Sequence, residues 1–334
     1  MGTLLKDSDE YTHAIGAASN WNESRYIDFW DARSQLGGWF RIGNRPNEKH
    51  AEMSACINLP NGKCAFMFSR PTISGNELEA AGQRWQIDSP WDVTRVSYHG
   101  EMIVMEDPWV LTDPKKAFKE SPRVQAAIDL TTHAQGLGSV MGFDQDHIDR
   151  IFLPGQADFH YQHLIRTQGR VRIGTQEFEV NGRGGKDHSW GPRNWHAKIY
   201  LRWPIASFDD DNGFMLVRAV GPTKKTRSGF VWSDGKFHLV DDFQMRNEYA
   251  GAPHYELRRA TYEIRSGSRT WSATATPRAW LPLRHLQKDE QGNPTLLRIV
   301  KSPTDWVMSD GRRGEGMCEY HDRIVDGVPV GLDD

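Results

Sequence analysis

No apolar run in this 334-residue chain approaches the roughly 18 to 20 residues that cross a bilayer as a helix. The longest, such as Gly213-Phe214-Met215-Leu216-Val217, are strand-sized, so stable membrane insertion is not expected. Cysteine is scarce. Cys56, Cys64 and Cys318 are odd in number and form no CxxC pair, which argues against a disulfide framework or a structural zinc site and fits a reducing compartment. Neither sign of charge is in excess: 41 Lys and Arg against 44 Asp and Glu give 41 − 44 = −3, with a pI of about 6.5. The basic balance that tracks a phosphate backbone is missing, so a nucleic-acid partner is not expected. Residues 1–13 carry Lys6 beside Asp7, Asp9 and Glu10 and no apolar stretch, unlike a secretory signal; the expected location is cytoplasmic. A GxGxxG turn after a strand, HExxH and GxSxG are all missing. Their absence sets aside dinucleotide-dependent dehydrogenases, zincins and α/β-hydrolases. Helical periodicity is rare, with residues 113–120 and a short stretch around Ala80 as the only candidates.

What the chain does contain is length for about two domains and aromatic side chains in quantity: thirteen Trp, nine Tyr and fourteen Phe, 11% of residues. Many alternate with polar neighbours, the pattern of sheets with aromatic-lined faces or of an all-β core. Val93 to Tyr98, a His99-Gly100 turn and Glu101 to Met105 predict a hairpin. Val124, Ala126, Ile128 and Leu130 recur with period two and predict a strand, as do residues 164–173, 176–180, 197–203, 214–220, 229–233, 236–240, 255–265 and 270–276. Asn181-Gly182, Asn212-Gly213, Asp234-Gly235 and Ser266-Gly267 supply turn pairs between them. The expected fold class is all-β, with two consecutive antiparallel barrels: an N-terminal domain over residues 1–180 and a C-terminal one over 181–334, divided at the glycine-rich stretch 181–191. A closed antiparallel barrel can enclose one small apolar ligand.

Several familiar chemistries fail on inspection. Gly182-Arg183-Gly184-Gly185-Lys186 lacks the Gly-Lys-Ser/Thr ending of a phosphate loop. Asp209-Asp210-Asp211-Asn212-Gly213 lacks the later Glu of a calcium loop, Ala219 standing there, and reads as a hairpin turn. Asp144, Asp146, His147 and Asp149 read as a polar loop, and His160 and His163, three apart on a strand, face opposite ways. The informative segment is Gly185-Lys186-Asp187-His188-Ser189-Trp190-Gly191-Pro192-Arg193-Asn194-Trp195. Contiguous Asp, His and Ser alternate sides on an extended chain, so they form no hydrolytic triad. Asp187 and Ser189 share one face, His188 and Trp190 the other. A carboxyl held in an apolar pocket is raised in pKa and can give a proton near neutrality; an Asp to Arg pair tying two barrels together is the structural alternative.

The stretch from Gly182 to Trp195, preceded by Phe159-His160-Tyr161-Gln162, resembles the signature of the lipocalin-like superfamily of carotenoid 1,2-hydratases (hydroxyneurosporene synthases) and AttH-like proteins. Glu23-Ser24-Arg25-Tyr26-Ile27-Asp28-Phe29 and Gly37-Gly38-Trp39-Phe40-Arg41-Ile42-Gly43-Asn44-Arg45-Pro46-Asn47 are similar to the N-terminal half of its bacterial branch. Gly314-Glu315-Gly316-Met317-Cys318-Glu319-Tyr320 is similar to its closing strand. Lys186 departs from the pattern, which carries Arg; the charge is kept and bidentate pairing is lost. The resemblance implies two lipocalin-like β-domains with an apolar cavity near their interface and no organic cofactor. It further implies chemistry on terpenoids or polyketides in which aromatic walls stabilise positive charge and one carboxylic acid supplies a proton.

On this basis the expected function is a cofactor-independent lyase or isomerase, a hydratase, dehydratase or cyclase, acting on a hydrophobic terpenoid, steroid or aromatic metabolite. Asp187 ranks first as the acid and Glu319 second, with His188 and His160 holding the carboxyl or relaying its proton. Trp190, Trp195, Tyr161, Tyr320 and Arg193 are candidates for binding and orienting the substrate. Each has a structural alternative: Asp187 paired only with Arg193, Glu319 a satisfied core carboxylate, His160 a core histidine. Two other functions compete: a lipocalin-type carrier that leaves its ligand unchanged, and a metal-dependent enzyme using His160, His163, His188 and His196. No metal site is the preferred reading, and oligomeric state is not specified by the sequence.

Overall fold

The computed structural model describes residues 5–136, 140–142, 144–194, 198–288 and 293–334. Alternation of apolar and polar residues dictates strands almost throughout, and they assemble into two antiparallel sheets of eleven strands each. In the first, His50–Asn58, Leu36–Arg45, Trp21–Asp31, Gln176–Pro192, Phe159–Ile173, Arg123–Ala134 and Val93–Met105 lie side by side. Cys64–Ser69 pairs with both ends of that array, with His50–Asn58 and with Val93–Met105, and the sheet closes into a barrel. The second sheet runs from Lys236–Leu239 through Lys225–Ser233, Asn212–Val220, Tyr200–Asp209, Arg313–Val325, Pro294–Met308, Arg269–Pro277 and Leu257–Ser266 to Asp242–Tyr249. Its two edges are drawn together by consecutive residues. Val240 N–H donates to the carbonyl of Gly229, and Asp241 N–H to that of Arg265, both at 2.9 Å. The architecture is the expected all-β pair of lipocalin-like barrels.

Five local expectations are corrected. The sheet changes between Pro192 and Tyr200, not at residue 180, because Gln176–Pro192 is one strand of the first barrel. Asn181-Gly182 is therefore no turn, and the glycines that follow serve close backbone approach. A Cβ on Gly185 would lie 2.6 Å from Met215 Cε and 2.9 Å from Ile205 Cδ1 of the second barrel. Val93–Met105 is a single strand, paired without interruption to Arg123–Ala134, and not a hairpin. Gly100 makes room for the Tyr98 ring, whose hydroxyl would stand 2.8 Å from an added Cβ. The segment read as a polar loop contains the helix Gln145–Ile151, its N-terminus capped by Asp144, which accepts from the Asp146 N–H at 3.0 Å. The other expected helix is present as Pro114–Glu120, whereas Glu79–Ala80 pairs as a short strand. At Asp234-Gly235 both residues have positive φ, 53° and 67°, as a tight hairpin requires.

Three of the four buried apolar clusters among the described residues position the site. Ile27, Phe29, Phe40, Ile42, Trp85 and Ile128 fill the first barrel, and Phe214, Leu216, Tyr262, Trp306 and Tyr320 the second. The third core lies between the barrels, on the outward faces of both. Tyr26, Trp39 and Leu164 there meet Leu201, Trp203, Ile205, Met215 and Met317. The indole N–H of Trp30 also donates to Asp305 Oδ1 at 2.6 Å across the junction. Because a Cβ at Gly185 would already crowd the Met215 and Ile205 side chains, Gly185→Leu should overpack this junction and lower unfolding free energy by about 1–3 kcal/mol. Urea unfolding monitored by far-UV circular dichroism measures it; an unchanged midpoint would show that the barrels separate without cost.

Candidate active site

The inter-barrel core contains a cavity of about 360 Å3, within the range that holds a small organic ligand. One wall is a row across the first barrel set by strand register: Ser54 opposite Arg41, Arg41 opposite Tyr26, Tyr26 opposite Asp187 and Asp187 opposite Gln162. His160 follows two residues before Gln162 on the same face. The facing wall comes from the second barrel, where Trp203 is opposite Glu319 and Glu319 opposite Lys301, with His321 and Leu201 one step along. Phe66, Leu111, Phe118, Ile151 and Phe152 close the apolar side.

Burial and neighbouring charge act differently on the titratable groups of the two walls. Burial raises the Asp187 carboxyl to about 7; Arg193 opposes the shift and the nearby Glu319 charge adds to it. Nε2 of His160 lies 3.1 Å from Asp187 Oδ2, yet out of line, so that both His160 ring nitrogens lack a hydrogen-bond partner. Burial, then Arg193, hold that ring well below the usual histidine range. Glu319 behaves oppositely. Burial works against its charge, but Lys301 and His321 outweigh it and keep the carboxyl ionised. Its Oε2 accepts from the Lys301 ammonium, and its Oε1 lies 2.6 Å from His321 Nε2. The same ammonium stands 4.1 Å from the Tyr26 ring centre and 5.0 Å from that of Trp39. The resemblance led us to expect aromatic faces free to stabilise substrate cations, but these two are already occupied by a resident one. Burial followed by Arg193 lowers the Lys198 amine to about 7.

Of the nine residues singled out from sequence, Asp187, Glu319, His160 and Arg193 converge on the cavity. Arg193 donates to Ser189 Oγ and to the Gln156 carbonyl, each at 3.1 Å, and its charge acts on Asp187. Tyr161, His188 and Trp190 do not reach it. They occupy the alternate positions and point into the first barrel, where an N-terminal strap covers them. Glu10 accepts from both Lys186 and Tyr161, His188 Nε2 lies 2.7 Å from Glu23 Oε1, and His13 stacks on Trp190 at 3.9 Å. Lys186, the departure from the resembled pattern, is thus the partner of Glu10. Tyr320 points into the second barrel and bonds Tyr262 at 2.8 Å. Trp195 lies outside the described residues, as does His196.

Of the four histidines weighed as a metal set, the three described do not converge, since His160 faces the cavity while His163 and His188 occupy the alternate positions that face the barrel interior. His13, Glu23 and His188 do present ligand atoms within 4.8 Å of one another. Arg25, however, donates to the same Glu23 oxygen at 2.7 Å and neutralises it. Sequence reasoning missed Tyr26, Gln162, Lys198, Lys301 and His321. The period-two rule would have returned Gln162 from His160 and Tyr26 from Ser24, had it been applied beyond the central strand. Nothing in the sequence marks Lys301 as the partner of Glu319.

The fold and site define a two-barrel lipocalin-like protein with a polar, titratable row in an inter-barrel cavity. The chain belongs to the family described as a domain of unknown function, DUF7064, whose model matches residues 6–324. Among solved structures it is similar to CghA (TM-score 0.57, 11% identity, 100% of this chain and 98% of that one). It is also similar to a structure described as an AttH from Nitrosomonas europaea (0.59, 12%, 92% and 94%). A third similarity is to kievitone hydratase from Nectria haematococca (0.49, 9%, 94% and 90%). At these identities the likeness is one of fold. A search of curated proteins finds no match.

The Asp187 shift has a sign that stability can report. Its folded value, about 7, lies above the ordinary 3.8. Between these values the folded protein therefore binds more protons than the unfolded chain, and stability falls as pH rises through that window. Asp187→Asn cannot ionise, so it should be more stable than the native protein at about pH 8, by up to a few kcal/mol, and nearly equal to it at about pH 4. Thermal unfolding at the two pH values decides; an equal shift at both would mean that Asp187 does not titrate in this range.

Proposed function

We propose that this protein is a cofactor-independent acid–base enzyme of the lyase or isomerase kind, a hydratase, dehydratase or cyclase acting on a hydrophobic metabolite. Terpenoid, steroid or aromatic skeletons are the candidates, and Asp187 moves the proton. The observation that carries the reading is a carboxyl poised at about 7 in the wall of an apolar cavity. At neutral pH such a group is populated in both forms, so it can deliver a proton and recover it, an effect of about 10²–10⁴-fold in other enzymes. His160, 3.1 Å away and held neutral, would pass that proton on or fix the reactive oxygen. In a dehydration, protonated Asp187 would donate to the departing hydroxyl as the C–O bond breaks, and the Asp187 carboxylate so formed would then take a proton from the adjacent carbon. Hydration is the same path reversed. Glu319 does not serve as the acid in this scheme: ionised beneath Lys301 and His321, it is the fixed counter-charge of the opposite wall. The resemblance to carotenoid hydratases supports the reaction class.

Native mass spectrometry of freshly purified protein, with identification of any small molecule released, gives the ligand. Incubating that ligand with protein in heavy water shows whether a proton moves. Deuterium should enter it with the native protein, and Asp187→Asn should lower that rate by about 10²–10⁴-fold without loss of ligand binding. A ligand returned unlabelled would make the protein a carrier. Glu319→Gln should instead destabilise the fold by about 3–5 kcal/mol, because the Lys301 ammonium is left buried without its counter-charge.

A further inference from the structure

The motif residues that the inter-barrel cavity leaves out lie together at one end of the first barrel. Lys186, His188, Tyr161 and Trp190 are gathered there beneath the strap of residues 5–19. No residue of the strap joins a sheet, and Leu5 and Glu10 alone in it are buried. Leu5 belongs to the apolar cluster of Tyr161, Trp91, Val140 and Trp190. Glu10 accepts from the Tyr161 hydroxyl and from the Lys186 ammonium. The strap thus sets one apolar side chain and one carboxylate into the same end of the barrel.

The charge balance of this end depends on the strap. Arg25 is matched within the barrel itself, by Glu23 at 2.7 Å. Among the described residues the one carboxylate that pairs with Lys186 is Glu10, and the ammonium's other bond is to the Thr94 hydroxyl at 3.1 Å. Burial opposes the charge on Lys186 and on Glu10, while their pairing supports both charges. His163 and His188, lowered to about 4 chiefly by burial, add no charge at neutral pH. A segment with so few buried contacts opens more readily than the barrel it covers. Glu10 leaves with it, and an ammonium left in a barrel without its counter-charge is strongly unfavourable. The opened state therefore favours an anion at Lys186 and Tyr161, with an apolar wall beside it.

We propose that this end of the first barrel is a second ligand site, for a small carboxylate that carries a short apolar group. The strap is its built-in occupant. Glu10 stands in for the ligand carboxylate and Leu5 for the apolar group, so ligand and strap exclude each other and binding releases the strap. The site goes beyond the inter-barrel chemistry and does not involve Asp187, which lines the cavity on the other face of the same strand.

Hydrogen exchange of the native full chain, read by mass spectrometry over residues 5–19, tests this with sodium isovalerate as the probe. Its isobutyl group matches the Leu5 side chain, and its carboxylate that of Glu10. Isovaleramide is the uncharged isostere, and sodium chloride at matched ionic strength controls for screening. The His13 N–H reports on docking, because it donates to Glu23 Oε2 at 3.0 Å from within the strap. Isovalerate should speed strap exchange by a factor of about 1 + [L]/Kd, with [L] its concentration and Kd its affinity for the opened state. Isovaleramide and chloride should not. The Kd comes from Glu10→Ala, which vacates the site: isovalerate should raise its thermal midpoint more than that of the native protein, and adding Lys186→Met should remove the rise. If Glu10→Ala does not fold, the linear rise of native strap exchange with isovalerate concentration decides alone. Strap exchange that isovalerate leaves unchanged, or that isovaleramide speeds equally, would overturn the proposal.

Discussion

The site depends on the alternation of one strand buried on both faces. Gln176–Pro192 lies between Trp21–Asp31 and Phe159–Ile173 in the first barrel, and the second barrel covers its outer side. Lys186, His188 and Trp190 must then enter the barrel, and Asp187 must enter the junction. From Gly184 to Gly191 neither face is left to water, so the charged groups buried there need partners. Lys186 finds Glu10, His188 finds Glu23, and Asp187 is surrounded by cations it only partly neutralises. A carboxyl in that position has its protonation balanced near neutrality by burial against charge.

The two barrels divide the labour in a way the lipocalin plan does not require. A lipocalin keeps its ligand inside the barrel, but both interiors here are filled, the first by Phe29, Phe40 and Trp85 and the second by Phe214, Tyr262 and Trp306. The space for a ligand opens instead between their outer faces. The site is therefore composite: Asp187, His160 and Tyr26 come from one sheet, Lys301, Glu319 and His321 from the other, and the Lys301 ammonium reaches across to the Tyr26 and Trp39 rings. Loosening the junction would alter the electrostatics of Asp187 directly, so the packing at Gly185 and along Trp203 and the titration of Asp187 are coupled.

Much of this was legible in the chain. The all-β class, most strands, the tight turn at Asp234-Gly235 and the separation of Asp187 from His188 follow from local periodicity and turn chemistry. The prominence of the segment from Gly185 onward followed from composition and resemblance. The errors have a common cause. In Val93–Met105, the glycine of His99-Gly100 signals a turn as readily as room for the neighbouring Tyr98 ring. The glycine run of residues 181–191 signals a flexible boundary as readily as close backbone contact. Tyr161 and Tyr320 stand next to His160 and Glu319 in sequence, and a neighbour on a strand points to the opposite face.

Local sequence by itself determined the strands, their faces and the identity of Asp187 as an acid worth attention, because side-chain direction in a strand is set within two residues. Tertiary structure alone decided which of the two carboxyls titrates near neutrality. Asp187 and Glu319 are the same functional group at similar depth. One is raised to about 7 and the other is locked as a carboxylate, and the difference lies in Lys301 and His321, which only strand pairing within the second barrel brings to Glu319. Electrostatic energy depends on distances between residues far apart in the chain, and those distances exist only once the barrels are closed and packed.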